Sequence, residues 1–434
     1  MGEGAIAPRV PRAPSPRREA RGVPKRPSRE RASSLQVVRE ADRRRRKDVA
    51  AIARTSLLLL LVPTAVLTAI GVVEVFSASS VFAFTNYGNS FWFLERQALY
   101  AAIGIGFFFL TAHMRYTAWR RLAGPLLGIS IGLLLLALHP AAGVSAYGAS
   151  RWIGLGPLTV QPSELAKLAT VALVASVLTR KGRKLDDWLH IAVPLGPIVL
   201  VVAGIVMMQR DLGTTVVIVG SVLLMLFVAG VRMRHLAVTG VVSFAGLAYL
   251  ILGTAYRRAR FLSFVDPWKD PRYTGYQLIQ GLIALGSGGW FGVGLGASRQ
   301  KWAYLPNAHT DFIFAVLGEE LGLVGELAVM VLFGLVVYAG IRIAVRAPDT
   351  FGRLLAAGIT AWIGLQAIVN LGAVTGLLPI TGVPLPFLSF GGSALIVTLG
   401  AVGVLASIAR ASVGRRPGKA GTARSRATPE QVTA

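Results

Sequence analysis

Long runs of apolar residues without a charged side chain constrain this chain more than any other feature. Residues 57–73 and 216–231 are two such runs. A helix of about 20 apolar residues crosses the roughly 30 Å hydrocarbon core of a bilayer. Only helices and closed β-barrels satisfy their backbone hydrogen bonds there, and the alternating ten-residue pattern of barrel strands is absent. The sequence therefore predicts an all-α polytopic membrane protein.

Apolar segments of spanning length recur along the whole central part of the chain. Their number predicts ten transmembrane helices, with ends known only to within several residues. The predicted spans cover about 55–77, 92–112, 122–139, 161–179, 189–208, 212–230, 235–253, 312–340, 354–376 and 389–409.

The orientation follows from the Lys and Arg residues of the short loops, which favour the cytoplasmic side. With a cytoplasmic N-terminus, the inner loops each carry two to four Lys or Arg, whereas the outer loops 78–91, 140–160 and 377–388 carry none, one and none. An even number of spans then places both termini in the cytoplasm, where their basic composition fits.

The loop 254–311, between spans seven and eight, is an exception. It is predicted to lie outside, yet it carries seven Lys and Arg. The charge serves either solubility or the attraction of an anionic ligand at the outer face. Its middle, 276–285, is apolar at helical spacing and runs into the glycine-rich segment 286–296, which indicates a short amphipathic or re-entrant helix. A large structured loop of this kind is typical of a functional element.

The two ends of the chain differ in composition from the spans. Residues 1–54 hold 16 Lys and Arg against six Asp and Glu, and residues 410–434 are similarly basic and polar. Both are predicted to be disordered cytoplasmic tails that flank a membrane domain at 55–409. The basic run 43–47 just precedes the first span and indicates a juxtamembrane anchor rather than nucleic-acid binding.

Two further classes of function are excluded by composition and motif. The chain has no cysteine, which removes disulfides, Cys-bound metals and a thiol nucleophile. The glycine-rich segment 286–296 lacks a preceding strand and the G-x-x-x-x-G-K-[ST] pattern of a nucleotide loop. Close backbone approach or a hinge explains its glycines better.

Ionisable residues at membrane depth are candidates for function. Glu164 and Lys167 share one face of the fourth span, either as an ion pair that fixes packing or as part of a substrate or proton path. Asp211 stands at a helix start, where capping alone explains it. The remaining candidates are Glu74, Asp311, Glu319 and Glu320.

Asp311 is the most informative of these because it lies where the basic loop enters the eighth span. One interpretation makes Thr310 and Asp311 a helix cap that complements the helix dipole. The other makes Asp311 a base that takes a proton from an acceptor hydroxyl while nearby cations neutralise an anionic leaving group; a third makes it a ligand of a divalent cation. Glu319 and Glu320 lie about 12 Å deeper and fit buried hydrogen bonding or helix coupling.

Several strings spread over residues 55–410 together resemble the SEDS family (shape, elongation, division and sporulation). Each string is modestly specific, and their joint occurrence in order carries the resemblance. The matching strings are Gln161–Lys167, Gln209–Thr214, Gly275–Gln277, Gly294–Lys301, Tyr304–Ala315, Gly318–Gly322 and Leu385–Ser393.

The resemblance implies an inverting peptidoglycan glycosyltransferase at the outer face of the bacterial plasma membrane. The implied substrate is lipid II, a disaccharide-pentapeptide on undecaprenyl pyrophosphate, whose pyrophosphate supplies the bond energy, so that no nucleotide is needed. A divalent cation, Mg²⁺ or Mn²⁺, is implied because activity in the family is linked to one.

The resemblance also implies roles for individual residues. The family's essential aspartate matches Asp311, the catalytic candidate. The implied substrate-binding residues are Arg257, Arg260, Lys301, Gln277, Ser298 and His309. Glu164, Lys167, Glu319 and Glu320 are supporting residues, and the metal ligands are unknown.

The implied partners are a class B penicillin-binding protein that acts as transpeptidase and other divisome proteins at the division septum. The strings Pro306–Asp311 and Gly156–Gln161 and the long basic N-terminal tail look like the division-type branch, FtsW, of actinobacteria more than the elongation-type branch, RodA. The alternatives are a RodA-type polymerase, a lipid II flippase and a non-catalytic divisome scaffold.

Overall fold

The computed structural model describes residues 2, 29–140, 143–146, 149–156, 158–182, 187–302 and 304–413. In these ranges, twelve α-helices form, and ten are long and apolar enough to cross a membrane. The prediction of an all-α protein with ten spans is thus confirmed. The helices are α1 (Arg29–Tyr87), α2 (Trp92–His113), α3 (Trp119–Leu138), α4 (Pro162–Lys181), α5 (Trp188–Met208), α6 (Leu212–Ala229), α7 (Met233–Leu252), α8 (Ala255–Val265), α9 (Tyr276–Ser287), α10 (Ile313–Val345), α11 (Thr350–Val374) and α12 (Ser393–Val413).

The chain forms two compact units, Met1–Asp48 and Val49–Ala434, and all ten spans lie in the second. The helix α1 begins at Arg29, so the prediction of a disordered tail up to residue 54 is wrong from that point. Residues 29–54 contain no glycine or proline and are rich in Arg and Ala, which favour helix. Likewise, α12 includes residues 410–413 of the second predicted tail. The remaining tail residues lie outside the described ranges, Gly2 excepted.

A small antiparallel sheet, which sequence analysis did not predict, occupies the connection between α3 and α4. Its strands are β1 (Gly143–Ala146), β2 (Ala149–Leu155) and β3 (Leu158–Val160), in the order β1-β2-β3. Ile153 of β2 pairs with both Gly143 and Val160. Strands this short give almost no periodic signal, which is why the sequence analysis missed them.

The core of the membrane unit is formed by α4, α11 and α12, which are the most buried spans. By contrast, none of the residues of α7, all of which the structure describes, is buried. Helix α7 therefore lies at the periphery, and the connection that follows it carries α8 and α9. Helix α9 confirms the amphipathic helix predicted at 276–285, and it buries Leu278, Ile279 and Ala284.

The eighth predicted span is confirmed as helix α10, and this helix is interrupted at Gly322, where φ is 67° and ψ is −169°. The segment that follows α9, residues 288–301 and here called the glycine loop, fills the interruption. Its backbone supplies hydrogen-bond partners that a broken helix lacks inside a membrane. The bonds run from Val293 N to Glu319 O (3.0 Å), Gly294 N to Glu320 O (3.1 Å), Leu323 N to Gly289 O (2.9 Å) and Val324 N to Trp290 O (3.2 Å).

Close approach of backbones explains the glycines here, as the sequence analysis expected. A Cβ added at Gly292 would lie 2.0 Å from the Glu320 carbonyl oxygen, and one added at Gly288 would lie 2.0 Å from the Gly318 carbonyl oxygen. No side chain fits at these distances, so glycine is required at both positions.

The connections predicted to share the outer face meet at one end of the bundle. The Gln161 N–H donates to Ser393 Oγ (2.8 Å), and the Phe390 N–H donates to the His309 carbonyl (2.9 Å). These contacts join the start of α4, the start of α12 and the segment before α10. The alternation of spans is thereby confirmed, while the cytoplasmic location of the termini stays a prediction.

Candidate active site

Asp311 lies at this end of the bundle, directly before α10. The Thr310 hydroxyl donates to Asp311 Oδ1 (3.0 Å). The Asn370 amide of α11 donates to the Asp311 carbonyl (2.8 Å) and to the Val383 carbonyl (2.7 Å). The N-cap of α10 is Phe312, without a side-chain capping bond, so the helix-cap interpretation of Thr310 and Asp311 is wrong. The backbone of Asp311 is instead fixed by α11.

The environment of Asp311 changes its acidity. Burial raises the pKa of this carboxyl above the ordinary value of 3.8. Hydrogen bonds from its own N–H and from Thr310, and the charges of Arg260 and Arg151, lower the pKa by a smaller amount. A carboxylate with a raised pKa is a stronger base than an ordinary aspartate.

Arginine side chains surround this carboxylate. Arg260 of α8 and Arg151 of β2 both act on Asp311 electrostatically. Arg257 donates to the carbonyls of Leu250 (3.1 Å) and Met207 (3.4 Å), and burial, with the charge of Arg210, lowers its pKa. The structure thus brings the predicted residues Arg257 and Arg260 to the end of the bundle that holds Asp311.

Arg151 is a functional candidate that the sequence analysis missed. Its guanidinium donates to the carbonyls of Gln209 (3.2 Å) and Arg210 (2.5 Å), which anchors the sheet to the α5–α6 connection. The available signal was that Arg151 is the single basic residue of the outer loop 140–160. Asn370 was missed as well, although an amide within an apolar span is a comparable signal.

Gln277 and His309 lie on the segments that lead to Asp311. The Gln277 amide donates to the Pro306 carbonyl (3.3 Å). The His309 ring packs among Phe82, Phe93 and Phe390, with ring centroids 5.6, 4.5 and 6.0 Å away. Burial lowers the pKa of His309 to about 4, so the imidazole is neutral near pH 7. Their substrate-binding roles stay predictions.

The structure places Lys301, Ser298, Glu319 and Glu320 together in a second cluster at the glycine loop. The Lys301 ammonium lies 3.6 Å from Glu320 Oε1, and the Ser298 hydroxyl donates to Glu319 Oε2 (2.5 Å). The expected buried hydrogen bonding of Glu319 and Glu320 is confirmed. Lys301 is not among the charges that act on Asp311.

The deeper ionisable residues are paired. Lys167 Nζ lies 2.9 Å from Glu164 Oε1 and donates to Gln366 Oε1 of α11 (2.6 Å), which confirms the ion pair and links α4 to α11. Asp211 accepts from the Thr214 N–H (3.1 Å), which confirms its capping role. A substrate or proton-path role for Glu164 and Lys167 stays a prediction.

The side chains of the described ranges do not by themselves form a metal-ion site. Within the described ranges, no group of three or more His, Asp or Glu side chains is placed to hold one. The charges of Arg260 and Arg151 act on Asp311, and a divalent cation there would need further oxygen ligands, such as substrate phosphates. The chemistry below is therefore derived without a step through a cation.

The geometry around Asp311 suits transfer to a hydroxyl with departure of an anion. The carboxylate can accept the proton of an attacking hydroxyl. Guanidinium groups fixed by backbone carbonyls can stabilise negative charge that develops on a leaving group, without reorganising during the reaction.

Comparison with known proteins identifies relatives over most of the chain. Residues 57–413 match the FtsW, RodA and SpoVE family model, described as cell cycle protein. The stage V sporulation protein E of Bacillus subtilis is 44% identical over 82% of this chain and 97% of its own length. The probable peptidoglycan glycosyltransferase FtsW of Geobacter sp. strain M18 is 44% identical over 81% of this chain and 96% of its own.

Solved structures with the same fold extend the likeness. A chain from a peptidoglycan synthase complex, studied for the coordination of polymerization and crosslinking, has a TM-score of 0.68 and 32% identity and covers 81% of this chain and 96% of its own. The rod shape determining protein RodA of Thermus thermophilus has a TM-score of 0.60 and 31% identity over 81% of this chain and 96% of its own. On the family match and these identities, the chain belongs to the FtsW, RodA and SpoVE family of cell cycle proteins, as the resemblance to the SEDS family implied.

Proposed function

We propose that the chain is a peptidoglycan glycosyltransferase that polymerises lipid II into glycan strands. The observation that carries the proposal is the Asp311 carboxylate, made more basic by burial and lying within electrostatic range of Arg260 and Arg151. The names of the relatives, glycosyltransferases among them, support the same reaction class.

The reaction follows from this arrangement. The Asp311 carboxylate accepts the proton of the acceptor sugar's 4-hydroxyl, whose oxygen attacks the anomeric carbon of the donor from the face opposite the pyrophosphate. The bond from that carbon to the pyrophosphate oxygen breaks with inversion, and undecaprenyl pyrophosphate leaves with the electron pair. Arg260, Arg151 and Arg257 neutralise the departing diphosphate.

The direct test is glycan synthesis by the purified protein from lipid II in detergent or vesicles, resolved by chain length. Strands longer than the starting disaccharide, formed without any nucleotide, support the proposal. If the folded protein with a transpeptidase partner yields only unreacted lipid II, the proposed function is wrong.

We propose a class B penicillin-binding protein as the partner and the division septum as the location in the plasma membrane. The structural neighbour from a synthase complex supports the partner, and 44% identity to a probable FtsW protein supports the division role. Depletion of this protein in the source bacterium should give filamentous cells, whereas round cells would indicate the elongation role.

Other divisome partners and a catalytic Mg²⁺ or Mn²⁺ are further proposals.

The acidity of Asp311 gives a pH-dependent prediction. Because its basic form does the work, kcat/KM falls as the pH drops through the raised pKa. The charge of Arg260 lowers this pKa, so Arg260→Gln should move the acid limb of the kcat/KM profile to higher pH.

Arg258→Gln is the matched control, since Arg258 lies on the same helix with an exposed side chain and is not among the charges acting on Asp311. Its acid limb should coincide with that of the wild type. An acid limb at an unchanged pH in Arg260→Gln would show that Arg260 does not act on the base.

A further inference from the structure

The ammonium group of Lys301 contacts other groups of the protein. The side chain is 8% exposed. Its ammonium donates to the Gly296 carbonyl (2.5 Å) and to Ser77 Oγ (3.5 Å) and lies 3.6 Å from Glu320 Oε1. An ammonium has three donors, of which two are hydrogen-bonded in this way, while the contact with Glu320 is an ion pair.

Glu320 connects three parts of the fold. Its carboxylate is fully buried and accepts from Ser77 Oγ of α1 (2.6 Å), the Gly296 N–H (2.9 Å) and the Ser298 N–H (3.4 Å). It therefore holds the glycine loop against both α1 and the interrupted α10. A buried carboxylate is tolerated only with a charge partner or several hydrogen bonds.

The carboxyl groups of two further glutamates lie buried around the same loop. Glu319 accepts from Ser298 Oγ (2.5 Å) and from the N–H groups of Arg299 (3.0 Å) and Gln300 (3.3 Å). Glu74 of α1 is fully buried, within electrostatic range of Glu320 and Lys301, and among the described residues its carboxylate finds no hydrogen-bond partner. Removal of the Lys301 ammonium would leave the buried Glu320 carboxylate without its counter-ion.

We infer that Lys301 is a positioning residue, whose contact with Glu320 holds the glycine loop against α1 and α10 and so fixes the chain that leads to Asp311. The inference rests on the proposed function and departs from the substrate-binding role that the family resemblance implied. The charges that act on Asp311 come from Arg260 and Arg151, whereas Lys301 acts on Glu74.

The first test is Lys301→Met with lipid II binding measured separately from turnover. We expect kcat to fall roughly 100-fold, the loss typical of a misplacement near 1 Å, while the Kd for lipid II stays unchanged. Lys269→Met, an exposed lysine between α8 and α9, is the control and should match the wild type. Weaker lipid II binding by Lys301→Met, with unchanged kcat, would overturn the inference in favour of a substrate contact.

The second test is the double variant Lys301→Met/Glu320→Gln. Removing one member of a buried ion pair leaves an uncompensated charge, and removing both relieves it. The double variant should regain roughly tenfold of the lost turnover, within the range for groups in contact, and its thermal unfolding midpoint should exceed that of Lys301→Met. A double variant no better than Lys301→Met in both measurements would overturn the inference.

The two measurements separate this inference from the proposed function. The unfolding midpoints report the Lys301–Glu320 contact whether or not glycan is made. If the wild type makes no glycan but Glu320→Gln restores the midpoint lost in Lys301→Met, the proposed function fails while the contact stands. If the wild type makes glycan but the double variant regains neither turnover nor the unfolding midpoint, only the positioning role of Lys301 is refuted.

Discussion

Replacement of Asp311 by asparagine is expected to lower glycan synthesis from lipid II by about 10²–10⁴-fold, the usual contribution of a positioned general base. Asparagine has nearly the same shape but cannot accept the proton of the attacking hydroxyl. The arginines stay in place, so binding of the diphosphate should persist, and the loss should appear in kcat.

The fold should survive this substitution. The Thr310 hydroxyl can donate to the amide oxygen of asparagine as it does to Asp311 Oδ1, and the bond from Asn370 reaches the backbone carbonyl, which is unchanged. Burial raises the pKa of Asp311 in the folded state, so folding favours its protonated form. The wild type therefore loses stability as the pH rises from the ordinary aspartate value through the raised one, and Asp311→Asn should lack this loss.

The polymerisation assay, run beside thermal unfolding, checks both expectations. Asp266→Asn is a matched control, because Asp266 lies in the same outer connection with an exposed side chain that makes no capping hydrogen bond to the short helix it precedes. Normal glycan synthesis by Asp311→Asn would refute the catalytic assignment. Scrambling of lipid II in vesicles that persists in this variant would instead favour the flippase alternative.

The sequence alone was sufficient to predict the ten spans and the end of the bundle at which Asp311 lies. Burial in a bilayer requires continuous apolar helices, so hydropathy alone predicted ten of them, and Asp311 followed from its place before α10. Arg151 was not predicted as a neighbour of Asp311, because β2 is brought there by contacts with the distant residues Gln209 and Arg210. Long-range pairing of this kind leaves little trace in local periodicity.

Lys301 is a different case. Its substrate-binding role was implied by the family resemblance and stays a prediction, and it stands only ten residues before Asp311 in the sequence. In the structure its ammonium is turned to Glu320 and Ser77, because the glycine loop enters the interruption of α10. Nothing local marks that interruption, since the window 312–340 is apolar throughout apart from its glutamates.

A second large effect is expected from Gly322→Ala, at the interruption of α10. The backbone of Gly322 has φ 67° and ψ −169°, a region open essentially only to glycine and costing about 1–3 kcal/mol for other residues. An added Cβ would also lie 2.4 Å from Gly292 N and 2.7 Å from Phe291 N. These are backbone atoms, which cannot move without breaking the bonds of the glycine loop.

Gly322→Ala should therefore lower the free energy of unfolding by about 3 kcal/mol or more, with loss of glycan synthesis. Gly334→Ala is the control: it lies in the same helix, its added Cβ meets no atom within 4 Å, and alanine should leave stability unchanged or raise it by up to about 1 kcal/mol. Thermal unfolding in detergent and the polymerisation assay measure both variants. Equal unfolding midpoints for the two would mean that α10 can run on past residue 322 without the loop. A lower midpoint for Gly322→Ala alone would mean that the stable fold requires the interruption of α10 at residue 322 and its close approach to the glycine loop.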